Sequence, residues 1–131
     1  MSKLSPKETV MKMYQAVVDG DYDTARSILS PNYFSHTQTA ETDPDAFFKE
    51  MESIKKTITN LEHTFMLAIE DGDIGAVLQH LEGIHKDTGE RIAYRSADFF
   101  RVDENGQLKE HWDAMTFEGE DMFDIIELDE D

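Results

Sequence analysis

Apolar positions recur every three or four residues from residue 5 to residue 58, and alternate from residue 60 to residue 117. That change of period divides the chain into a helical part followed by a strand part. "LSPKETVMKMYQAVVDGDYD" opens the helical part. Ser5 is placed to cap, Pro6 suits the first helical position, and Glu8 completes a capping box. Val10, Met13, Tyr14 and Val17 then share one face, and Asp19-Gly20 stops the helix. "DTARSILSP" predicts a second, short helix ended by Pro31, and "NYFSHTQT" a short strand or extended loop. "TDPDAFFKEMESIKKTI" predicts a third helix, capped by Asp43 with Pro44 following. Its apolar stripe is Ala46, Phe47, Met51, Ile54 and Ile58.

In the strand part, "LEHTFMLAIE" places Leu61, His63, Phe65, Leu67 and Ile69 on one face, with Glu62, Thr64 and Glu70 on the other. "DGD" is a turn, "IGAVLQHLEGIH" a second strand, "KDTGE" a hairpin loop, "RIAYRSADFFRV" a third strand, "DENG" another turn and "QLKEHWDAMTF" a fourth strand. Three helices followed by four antiparallel strands predict an α+β domain, with the helices laid on one face of a curved sheet.

The alternation also predicts which side of each strand looks inward. In 91–102, Arg91, Arg95 and Arg101 share one face and cannot line a dry core cheaply, so Ile92, Tyr94, Ser96, Asp98, Phe100 and Val102 face the interior. That drives Asp98 inward, where a carboxylate needs a partner or takes up a proton. In 74–84, the face with Ile74, Ala76, Leu78, His80, Glu82 and Ile84 is the more apolar and carries His80 with it. In 108–115, Leu108 and Trp112 form the inward set. His111 and Asp113 then face outward or into a subunit interface, unless a bulge re-aims them.

Composition narrows the partners. Of the 131 residues, 39% are hydrophobic and 10% aromatic, which suits one domain with a real core. A net charge of −17 opposes nucleic acid and anionic membranes, whose recognition needs clustered Lys and Arg. Part of the excess is a separate feature: residues 118–131 carry eight acids and no base, and without them 21 acidic residues face 12 basic ones. The domain is accordingly 1–117, followed by an acidic tail whose residues 120–128 alternate apolar and acidic groups and are expected to be partly ordered. No cysteine is present, so disulfides and thiolate chemistry are excluded. No apolar run nears the length of about 20 residues that spans a bilayer, and the default expectation is a cytoplasmic protein. No Gly-rich phosphate loop, Gly-x-Ser-x-Gly or His-Glu-x-x-His occurs, and neither metal nor cofactor is expected.

"ADFFRVDENGQLKEHWDAM" closely resembles the closing hairpin of SnoaL-like proteins of the nuclear transport factor 2-like superfamily. The matching residues are Asp98, Phe100, Arg101, Asn105, Gly106, Glu110, His111, Trp112 and Asp113. "NYFSHTQTAETDPDAFFKEM" is similar to the family's Tyr-x-x-His segment and following helix, through Tyr33, His36, Ala46 and Phe47. The resemblance implies a cone-shaped α+β barrel, N-terminal helices packed on a curved, mainly antiparallel sheet around a pocket. It also implies dimerisation through the outer face of that sheet. It further implies cofactor-independent acid-base chemistry of the aldol cyclase or isomerase kind, with Asp113 at the family's acid-base position. The acidic tail and the short segment after His80 depart from the family pattern.

Two functions follow. The first is a lyase, cyclase or isomerase acting on a small, largely apolar carbonyl compound, with Asp98, Asp113 and His80 as catalytic candidates. Such chemistry needs a base tuned near working pH and a donor for the developing enolate oxygen. His36, Tyr94, Trp112 and His111 are the candidate ligand-binding residues. The second is a non-catalytic domain that holds a small molecule or partner protein with the same set.

Overall fold

The computed structural model describes residues 3–36 and 43–118. The expected ordering of residues 120–128 lies outside them. Helix α1 (Pro6–Val18) starts as its sequence predicts: Ser5 Oγ accepts from the Glu8 amide, and the Glu8 carboxylate accepts from the Ser5 amide. Helix α2 (Tyr22–Ile28) is capped by Asp21 and ends before the proline, because Leu29 is already extended. The residue preceding a proline avoids helical geometry, and the chain runs straight into strand β1 (Leu29–Ser35). Pro31 is tolerated because β1 is an edge strand. Helix α3 (Pro44–Thr57) has Asp43 as its cap, its carboxylate taking the Ala46 amide at 2.8 Å.

Strands β2 (Ile58–Asp71), β3 (Ile74–His85), β4 (Arg91–Val102) and β5 (Leu108–Phe117) form an antiparallel meander. β1 adds to β5 in parallel, which gives a mixed five-stranded sheet of order β1-β5-β4-β3-β2. The helices lie on one face. Their apolar stripes meet the inward side chains of the sheet in an aromatic cluster: Tyr14 packs edge-on against Phe47 and Phe100 at 6.4 and 5.9 Å, and Tyr33 against Phe47 at 5.8 Å. This is the α+β architecture expected from the change of period, with a fifth strand where the sequence left strand or loop open.

The inward face of β4 is as predicted, with Tyr94, Asp98 and Phe100 buried. Three other strands depart from the expected faces. On β3 the inward residues are Gly75, Val77, Gln79, Leu81 and Gly83, paired across the ladder with Phe100, Asp98, Ser96, Tyr94 and Ile92. A Cβ at Gly75 would stand 2.5 Å from the Pro6 carbonyl, so the start of α1 rests on bare backbone there. Glycine is thus the packing residue, and counting apolar side chains assigns the faces the wrong way round. On β2 the register shifts between Phe65 and Leu67, so Leu61, His63, Phe65 and Ala68 are partly covered while Leu67 and Ile69 are exposed. On β5 the pairs Arg101–Glu110 and Val102–Leu108 leave Lys109 unopposed. That extra residue is a bulge. Leu108 before it and His111 and Asp113 beyond it therefore share the inward side, and Trp112 turns outward.

Candidate functional site

Because of the β5 bulge, Asp98 on β4 stands directly opposite Asp113 and one diagonal step from His111, all on the inner face. Asp98 Oδ1 lies 2.9 Å from His111 Nε2, with both side chains at most 3% exposed. Its Oδ2 accepts from Gln79 Nε2 at 2.8 Å and from Ser96 Oγ at 2.7 Å. The far nitrogen of His111 meets the Tyr33 hydroxyl at 2.9 Å, and Gln79 Oε1 meets His63 Nε2 at 2.6 Å. One polar chain therefore runs His63, Gln79, Asp98, His111, Tyr33 and takes one residue from each strand, in the spatial order β2, β3, β4, β5, β1.

The network fixes the orientation of each member. With its proton on Nε2, His111 donates to Asp98 and accepts the Tyr33 O–H at Nδ1. Gln79 must point its amide nitrogen at the carboxylate and its oxygen at His63. Phe100 stacks on the His111 ring at 4.1 Å and 5°, which leaves the imidazole little room to turn. Asp98 already accepts three hydrogen bonds, so its lone pairs face protein donors.

Asp113 is the contrast. Among the described residues its carboxyl makes no hydrogen bond, and it opens on a cavity of about 100 Å³ between α1, α3 and the sheet. Tyr14, Met51, Ile54, Leu61 and Leu81 supply apolar wall, and Glu50, Tyr94 and Asp98 also reach it. Burial pushes the Asp113 carboxyl above its ordinary value, the His111 imidazole pulls it back, and the charges of Asp98 and Glu50 push it up again. The Tyr94 phenol is raised to about 12, chiefly by burial and then by Asp98 and Glu50, so it stays a proton donor. A half-buried carboxyl held toward its neutral form, beside a phenol that keeps its proton, can exchange protons with a bound carbon acid.

Asp98, His111 and Asp113 also offer ligand atoms within 4.8 Å of one another. A cation there would have to displace the His111–Asp98 hydrogen bond, so two of the three donors are already committed to each other.

Of the residues predicted from sequence, Asp98, Asp113 and Tyr94 line this cavity and His111 stands behind them, bonded to Asp98; His80, His36 and Trp112 are not at the cavity. His80 sits on the outer face of β3, 3.9 Å from Glu118, because the glycine-bearing face turns inward. His36 and Trp112 form an outer cluster instead. Their rings stack at 4.9 Å, His36 Nε2 lies 2.7 Å from Glu110, and the Arg101 guanidinium lies 5.9 Å from the Trp112 ring. His111 and Asp113 are corrected from the outward to the inward face. Sequence reasoning missed Gln79, Ser96, His63, Tyr33 and Glu50 as site residues. Gln79 could have been found from the short hairpin loop, which sets it opposite Ser96.

Several solved structures share this fold. AclR from Streptomyces galilaeus, a candidate hydroxylase, superposes with a TM-score of 0.75 at 20% identity over 85% of this chain and 88% of its own. IdmH from Streptomyces antibioticus, a candidate polyketide cyclase, gives 0.75 at 21% over 86% and 92%. An NTF2-like protein from Cytophaga hutchinsonii gives 0.65 at 11% over 88% and 93%. These define the class, an NTF2-like α+β fold. No curated protein sequence matches the chain significantly. The model of the SnoaL-like polyketide cyclases matches residues 8–117, and the chain belongs to that family.

Proposed function

We propose that the protein binds a small, largely apolar carbonyl compound in the α1–α3–sheet cavity and moves a proton next to its carbonyl, with Asp113 as the base. The observation that carries this reading is the division of labour between two neighbouring carboxyls. Asp98 is saturated by Gln79, Ser96 and His111, whereas Asp113 makes no hydrogen bond among the described residues and faces the apolar cavity. Asp98 and His111 then act as positioning residues that set the field around Asp113, and Tyr94 donates to the developing enolate oxygen. His80 has no place in this scheme. AclR, a candidate hydroxylase, and IdmH, a candidate polyketide cyclase, share one fold, so the fold alone does not fix the reaction.

The test follows α-proton exchange of small cyclic ketones in deuterated water by NMR. Wild-type protein is expected to accelerate exchange, and Asp113→Asn to lose at least about a hundredfold of that acceleration. Equal rates for the two proteins would remove Asp113 as the base.

A second reading, ligand holding without chemistry, is favoured by one observation. The cavity of about 100 Å³ is well under the roughly 300 Å³ of ordinary ligand sites. A multi-ring substrate needs α3 to move outward, whereas a one-ring ligand fits a space only slightly larger. Ketones that bind and return with their α-protons unexchanged would establish this reading over the first.

The proposal includes a homodimer through the outer face of the sheet. Cross-strand register lines up Ile69, Ala76, Phe99 and Trp112 in one row and Leu67, Leu78, Ala97 and Ala114 in the next. Leu67 and Ile69 are 62% exposed and Phe99 is 44% exposed. A contiguous apolar patch of this kind marks a surface that is covered in solution.

A further inference from the structure

Glu50 reaches from α3 into the same cavity as Asp113 and Tyr94. Its Oε2 is sealed from solvent and has no hydrogen-bond partner among the described residues. A buried carboxylate oxygen without a donor is unfavourable, and such atoms call for a specific explanation. The neighbouring cation does not supply one: the Lys55 ammonium points to the Val17 and Val18 carbonyls at the end of α1, at 3.5 and 3.0 Å. His63 has its Nε2 on Gln79, and the Gln79 amide nitrogen is on Asp98. Among the described residues the cavity thus presents two carboxyls with an unused acceptor, Glu50 on α3 and Asp113 on the sheet. Glu50 pushes up both the Tyr94 phenol and the Asp113 carboxyl.

Building on the ligand-pocket reading above, we propose that Glu50 is a ligand-recognition residue. It accepts a hydrogen bond from a donor group, hydroxyl or ammonium, on a compact one-ring ligand, and together with Asp113 it excludes carboxylates from the cavity. The ligand class is therefore an uncharged or cationic molecule with an apolar body and a hydrogen-bond donor. The missing partner of Oε2 arrives with that molecule.

Three probes with one ring and one headgroup test this on the full chain: benzyl alcohol, benzylamine and benzoate, titrated by NMR or calorimetry at neutral pH. Wild-type protein is expected to bind the alcohol and the amine at least about tenfold tighter than benzoate, the scale of one hydrogen bond to a charged group. Glu50→Gln should weaken benzylamine by about the same factor and narrow the gap to benzoate. Glu52→Gln, an exposed neighbour on α3, removes the same charge from the chain and should leave the preference intact. Thermal melting of Glu50→Gln separates recognition from bracing. The variant should melt at or above the wild-type temperature, because no protein contact to Oε2 is lost. Binding of all three probes with no discrimination, or a preference untouched by Glu50→Gln, overturns this assignment while the pocket reading stands. A large drop in melting temperature for Glu50→Gln overturns it as well. Failure of wild-type protein to bind any of the three overturns the pocket reading and takes this one with it.

Discussion

The Asp98 carboxylate and the His111 imidazole meet at 2.9 Å in a place that water does not reach, with Phe100 stacked on the imidazole. A pair desolvated to this degree is held by its partner rather than by solvent. Removing one member leaves the other's polar atoms buried and unmatched, which is far costlier than losing an exposed ion pair. His111→Ala strands Asp98 Oδ1, removes the ring nitrogen that meets the Tyr33 hydroxyl and opens a void beside Phe100. Its expected cost is about 3–5 kcal/mol in urea unfolding. Asp98→Asn keeps the shape but turns one acceptor into a donor facing Gln79 and Ser96, so about 1–3 kcal/mol is expected. A loss under about 1 kcal/mol for His111→Ala would show that the network does not brace the sheet.

The parts of this arrangement that were legible in the sequence are those that local chemistry decides. The Ser5–Glu8 capping box and the Asp43 cap need only neighbours along the chain. The inward face of β4 needs only three arginines on its other side. The parts that were not legible depend on what lies across the ladder. Nothing in "QLKEHWDAM" says that Lys109 is skipped by the partner strand, yet that skip alone carries His111 and Asp113 to the inside. The face of β3 was misjudged because Gly75 looks like an absence of core when it is the point where α1 touches the sheet. His80 was lost to the site for the same reason.

Gly75 gives a second prediction. Its φ is not in the left-handed region, so the requirement is space alone. A methyl group there meets the Pro6 carbonyl carbon and oxygen at 2.5 Å and the Lys7 amide nitrogen at 2.8 Å, all backbone atoms that cannot rotate away. Gly75→Ala must lift the first turn of α1 off the sheet. The expected destabilisation is about 1–3 kcal/mol, the range for overpacking, and it should appear in thermal or urea unfolding. Stability unchanged from wild type would mean that α1 sits less closely on β3 than described.

The outer face of the sheet supports a third. Phe99 and Leu67 project from adjacent apolar rows on the side away from the helices. A carboxylate at either place has solvent to face in a single subunit but an apolar partner in a dimer. Phe99→Glu and Leu67→Glu are therefore expected to shift the molecular mass in solution from dimer to monomer, read by sedimentation or light scattering. Single-subunit stability should change by no more than about 0.5 kcal/mol, as for ordinary surface substitutions. A wild-type protein that sediments as a monomer at micromolar concentration would remove the dimer.

Asp113 supplies a prediction whose sign follows from its surroundings. Its carboxyl is pushed above the ordinary 3.8, first by burial, with Asp98 and Glu50 adding to the push and His111 opposing it. The folded protein consequently holds this proton at a pH where the unfolded chain has released it. The group's contribution to stability is fully present below 3.8 and is lost as pH rises through the raised folded value. At neutral pH the ionised carboxylate in its half-buried place is thus a liability to the fold. Asn at this position cannot ionise and fills the same space, so the liability disappears. Asp113→Asn and wild type should melt close together near pH 4, and the variant should melt higher at about pH 7, the gap opening as wild-type Asp113 gives up its proton. A variant that melts lower than wild type at neutral pH would mean that the Asp113 carboxylate is a structural acceptor, and the base would have to be sought elsewhere in the cavity.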